Sequence, residues 1–100
     1  MPTTIVVAED EAIIRMDLTE LLQEEGYDVV GECGRGDEAV RLVRELRPDV
    51  ALLDIKMPGQ DGISAAREIS AERLSAVVLV TAFSQRELIE EASDAGVHGY

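Results

Sequence analysis

Three carboxylates in this chain sit where a hard cation could be held. The apolar run Thr4 to Ala8 delivers Glu9 and Asp10, and the run Val50 to Leu53 delivers Asp54. Each run reads as a buried strand that ends on acids. Ligands bind beyond the carboxyl ends of the strands in an open parallel sheet, so acids gathered there are poised for metal-assisted chemistry. Taken alone, Glu9-Asp10-Glu11 also fits an acidic helix start that complements the helix dipole, and Asp54 fits a loop cap.

The elements that must position these acids alternate along the chain. After Glu11, residues Ile14, Leu18, Leu21 and Leu22 repeat at i, i+4, i+7 and i+8, the stripe of an amphipathic helix that Gly26 ends. Asp28 to Cys33 reads as the second strand. Asp37 to Leu46 reads as the second helix, with Val40, Val43 and Leu46 facing inward and Pro48 closing the segment. Val50 to Asp54 is the third strand, followed by a Met57-Pro58-Gly59 turn and a helix from about Gly62 to Ser70.

Ala76 to Thr81 is an apolar fourth strand, of the kind expected when both sheet faces are covered. Ser84 and Glu87 form a capping box for a further helix that ends at Ala95-Gly96, and Tyr100 begins a fifth strand. Strands and helices joined by short loops give right-handed crossovers, hence a doubly wound parallel α/β sheet. With the first and third strands as neighbours, Glu9, Asp10, Asp54 and Thr81 share one rim.

Composition restricts what surrounds that rim. One hundred residues make a single small domain, and with three aromatics and no Trp the core must be aliphatic. A net charge of -12, from 21 acidic against nine basic residues, argues against direct nucleic-acid binding by this domain. Cys33 is the only cysteine and lies in a Val-rich run, as a buried reduced thiol would. There is no signal-peptide pattern and no stretch long enough to span a membrane, so a cytoplasmic location is expected.

The motifs in this order resemble a known family. Glu9-Asp10, Leu52-Leu53-Asp54, Met57-Pro58-Gly59, Asp61-Gly62, Thr81-Ala82, Ala95-Gly96 and Gly99-Tyr100 are similar, collinearly and over the whole chain, to bacterial two-component response-regulator receiver domains. The resemblance implies a flavodoxin-like strand order 2-1-3-4-5. It implies Asp54 as phosphoacceptor, taking a phosphoryl group from a sensor histidine kinase. It also implies Mg2+ held directly by Asp10, Asp54 and the Lys56 backbone carbonyl, with Glu9 acting through water. Thr81 would be the switch hydroxyl, Ala82 would keep the phosphoryl pocket open, and Tyr100 would be the aromatic that moves with Thr81. Without the resemblance, Thr81 reads as a structural strand end and Tyr100 as a core aromatic.

The stretches Ala8 to Leu18 and Thr81 to Arg86 look like receivers joined to a small RNA-binding antiterminator domain. Any RNA contact would then come from that other domain. The family also carries a Lys after the switch aromatic, and the sequence stops before that position. Lys56 is the only lysine present, and it reads equally as a solvated loop charge. A sheet ending near the fourth strand would leave an open edge. The expectation is a chain cut from a longer protein, or one forming a homodimer or strand-swapped oligomer through that edge.

Two rival readings remain at this stage. Gly34-Arg35-Gly36-Asp37-Glu38-Ala39 fits G-x-G-x-x-A, and Asp54 lies 20 residues after Gly34, which is a dinucleotide-binding fingerprint. Asp37 and Glu38 oppose it, because they would face the pyrophosphate at the helix N-terminus. A degenerate receiver serving only as a protein-interaction module is the other rival.

Overall fold

The β-branched and leucine-rich runs form strands and the stretches between them form helices, as their periodicities predict. The computed structural model describes residues 2–80. In chain order these are β1 (Thr4–Ala8), α1 (Ala12–Glu24), β2 (Asp28–Cys33), α2 (Gly36–Leu46), β3 (Val50–Asp54), α3 (Gly62–Ala71) and β4 (Ala76–Val80). Thr81, Ala82, the helix expected from Ser84, and Tyr100 lie outside the described residues.

All pairings are parallel and the sheet order is β2-β1-β3-β4. The chain therefore reverses its winding between β1 and β3, where a crevice opens beyond the strand ends. Ala8 pairs with Leu53, and Asp54 with Val80, so the ends of β1 and β3 finish level.

Strand alternation divides the apolar residues between the two faces. Val6, Ala8, Ala51, Leu53, Val77 and Leu79 point to one side, where they form the main core with Val40 and Val43 of α2 and Ala66 and Ile69 of α3. Ile5 and Val7 are buried on the other side, against which α1 packs. α2 and α3 also pack on each other. Asp61 caps the start of α3, its carboxylate accepting a 2.8 Å hydrogen bond from the Ser64 N–H.

Two sequence expectations are corrected here. The inward stripe of α1 is Arg15, Leu18, Thr19 and Leu22, while Ile14 and Leu21 are exposed. The helix is rotated by roughly one residue from the apolar pattern, because it covers only β1 and β2. Leu46, expected inward, is also exposed, because the last turn of α2 overlies β2 at the margin of the sheet. Its methyl group nevertheless lies close to Gly31.

Candidate metal centre

The register explains why the acids meet. One step beyond the Ala8 and Leu53 pair come Glu9 and Asp54, which leave neighbouring strand ends towards the face opposite the main core. Asp10 follows on the loop into α1. One carboxylate oxygen from each of Glu9, Asp10 and Asp54 lies within 4.8 Å of the others. Glu9 is buried, Asp54 half-buried and Asp10 exposed, so the cluster opens to solvent on the Asp10 side.

The Glu9 segment is tightly held. Its N–H donates to the Cys33 carbonyl at 2.9 Å, and its carboxyl accepts a 3.1 Å bond from the Glu11 N–H. Arg15 Nη1 donates a 2.6 Å hydrogen bond to the Glu9 carbonyl. Arg15 was missed by the sequence reading. Its signal was the i, i+3, i+4, i+7 spacing with Leu18, Thr19 and Leu22, which an apolar template passes over because the first member is charged.

Crowded acids resist ionisation. Burial pushes the Glu9 carboxyl up to about 7, with the negative charge of Asp54 and hydrogen bonds to Asp54 and Asp10 adding to the effect, against a lowering from the Glu11 N–H. Asp54 is also raised, first by burial and then by the charge of Asp10. Hydrogen bonds from Glu9 and from the Ile55 and Lys56 N–H groups pull it back. Near neutral pH the Glu9 carboxyl therefore still carries a proton in part of the molecules. A divalent cation would displace that proton and compensate the charges of all three acids.

The donor set fits Mg2+. That ion takes an all-oxygen octahedral shell with opposite oxygens about 4.2 Å apart and keeps several waters, and an open cluster of three acids can supply part of such a shell. The Lys56 side chain is exposed at the rim, and its N–H faces the Asp54 carboxylate.

The glycine motif at residues 34–39 has a packing role. The Gly36 N–H donates to the Pro58 carbonyl at 3.3 Å, and the Gln60 carbonyl fills the space that a Cβ on Gly36 would need. Ala39 is fully buried in the core, and Asp37 is paired with Arg35 at 3.1 Å. The space over the helix start, where a pyrophosphate would have to sit, holds the Pro58 to Gln60 loop.

The fold and the site define a doubly wound parallel α/β domain with an acid-lined crevice at its switch point. A model of the response regulator receiver domain matches residues 5–100, and the chain belongs to that family. It is 54% identical over 100 residues to transcriptional regulatory protein PdtaR of Mycobacterium tuberculosis, covering 100% of this chain and 49% of that protein. It is 36% identical over 101 residues to chemotaxis protein CheY of Thermotoga maritima, covering 100% of this chain and 84% of CheY. The signal receiver domain of the putative response regulator NarL from Mycobacterium tuberculosis matches with a TM-score of 0.95 at 33% identity, over 98% of this chain and 81% of that one. The chain spans about half the length of PdtaR.

Proposed function

We propose that this receiver accepts a phosphoryl group on Asp54 from a phosphohistidine of a partner sensor kinase in the cytoplasm. The observation that carries the reading is the meeting of Asp54 with Glu9 and Asp10 at the crevice between β1 and β3, in a chain of the receiver family.

In the transfer, a carboxylate oxygen of Asp54 attacks phosphorus in line with the phosphorus–nitrogen bond of the donor. The new oxygen–phosphorus bond forms as the old bond breaks, and its electron pair returns to the imidazole, which leaves with a proton from solvent. A bound Mg2+ supplies positive charge for the phosphoryl oxygens. Asp10, Asp54 and the Lys56 carbonyl would hold it directly, and Glu9 would support it through water. The N–H groups of Ile55 and Lys56 orient the Asp54 carboxylate. Water later attacks the phosphorus of the acyl phosphate; the bond to the Asp54 oxygen breaks with its electron pair returning to the carboxylate, and inorganic phosphate leaves.

Thr81, Ala82 and Tyr100 serve as switch hydroxyl, open pocket and coupled aromatic in this reading. Transcription regulation, named for PdtaR, is the output proposed here, exerted through another domain because this one is strongly acidic.

Incubation with Mg2+ and a small acyl phosphate donor, followed by intact mass measurement, tests the assignment. The expected result is a gain of one phosphoryl group that Asp54→Ala abolishes and Asp10→Ala slows. Equal labelling of Asp54→Ala would overturn it. A wild-type chain that binds Mg2+ but is never labelled would favour an interaction module instead.

A further inference from the structure

Arg15 lies on the inward face of α1, yet the transfer described above does not use it. It heads the stripe that continues through Leu18, Thr19 and Leu22, and its Nη1 donates the 2.6 Å hydrogen bond to the Glu9 carbonyl. That carbonyl belongs to the peptide joining Glu9 to Asp10. Across the guanidinium, Nε stands 3.9 Å from the Glu32 carboxylate on β2. Gly34 makes room for it, since a Cβ there would stand 3.0 Å from Nη1.

We propose that Arg15 is a positioning residue of the carboxylate site, fixing the Glu9–Asp10 peptide and so the directions in which both carboxylates leave β1. The inference rests on the reading of Glu9, Asp10 and Asp54 as a divalent-ion site. The Glu9 N–H, tied to the Cys33 carbonyl, holds the peptide plane before Glu9, and the Glu9 carbonyl, tied to Arg15, then restrains rotation of the Glu9–Asp10 plane that follows it. Rotation of that plane would swing Asp10 relative to Glu9. The bond is charge-assisted and half-shielded from solvent, so it is stronger than a neutral surface contact. The pair with Glu32 is longer and more exposed, and it orients the guanidinium only weakly.

The test is Mn2+ titration of the 100-residue chain, with free ion read by electron paramagnetic resonance and folding read by urea denaturation in the same samples. Losing a partner that orients metal ligands weakens binding by about 10-fold or more, and that loss is expected for Arg15→Met. Arg15→Lys keeps a donor but not the fork, and is expected to recover part of the affinity while staying about 3-fold weaker than wild type. Glu32→Gln is expected to bind Mn2+ like wild type.

Wild-type affinity in Arg15→Met would overturn the proposal. Should that variant fail to fold, wild-type affinity in Arg15→Lys would do the same. A loss in Glu32→Gln as large as in Arg15→Met would also overturn it, by assigning the effect to the ion pair. A wild-type chain that binds no Mn2+ would overturn the divalent-site reading itself. Equal binding by wild type and the Arg15 variants would remove only the role of Arg15.

Discussion

Gly62, the first residue of α3, lies directly against the main-chain carbonyl of Asp54, with no room between them for a Cβ. Its N–H donates to the Ile55 carbonyl at 2.8 Å. The helix start thus buttresses the peptide that carries the Asp54 carboxylate. Asp61 caps the helix one residue earlier, so the Asp61-Gly62 pair fixes both where α3 begins and how closely it approaches β3.

Gly62→Ala is expected to destabilise the chain by about 1–3 kcal/mol, the usual cost of forcing an extra methyl into a packed site. It should also weaken divalent binding, because the overlap can be relieved only by moving Asp54 or α3. Urea denaturation and Mn2+ titration read the two effects. An unchanged urea midpoint would show that a methyl group fits between α3 and the Asp54 carbonyl.

The acids predict a pH dependence whose sign follows from Glu9. Its carboxyl rises from 4.5 to about 7 in the folded chain, so its contribution to stability is fully present below about pH 4.5 and is lost as pH climbs through 7. Asp54 is raised too and acts in the same direction. Mg2+ competes with the proton, so its stabilising effect should be larger at about pH 8 than at about pH 5. Thermal melts with and without Mg2+ at both values would check this, and equal Mg2+ increments would count against the site.

Thr19 is buried on the inward face of α1, and its Oγ1 has no hydrogen-bond partner among the described residues. Valine has nearly the same shape without the hydroxyl. Thr19→Val should therefore stabilise the chain, by about 1 kcal/mol if the whole desolvation cost of the hydroxyl is relieved. A lower urea midpoint in the variant would mean that the hydroxyl is satisfied after all.

Cys33 is buried at the end of β2, and burial pushes its thiol up, away from the reactive thiolate. Alkylation of the native chain should be slow and should accelerate on unfolding. Rapid labelling without loss of structure would show that the end of β2 opens locally.

Much of the fold was legible in the sequence because the apolar runs are short and punctuated. Val50 to Leu53 can be little other than a buried strand, and Pro48 and Gly59 mark where the chain must stop and turn. Glu9, Asp10 and Asp54 stood out because acids at the ends of apolar strands break the pattern. The facing of α1 was misread, since Ile14 and Leu21 look like core residues in a list but meet no element of the described sheet.

Residue order sets which side chains alternate along a strand and which acids end it, and these are local properties of a chain with period two or 3.6. It leaves open which strands become neighbours. The β2-β1-β3-β4 order, a property of packing between distant segments, brought Glu9 and Asp54 into one row and left Asp10 at the open side. The rotation of α1 onto β1 and β2 likewise turned Arg15, an ordinary helix charge in the sequence, towards the Glu9 carbonyl.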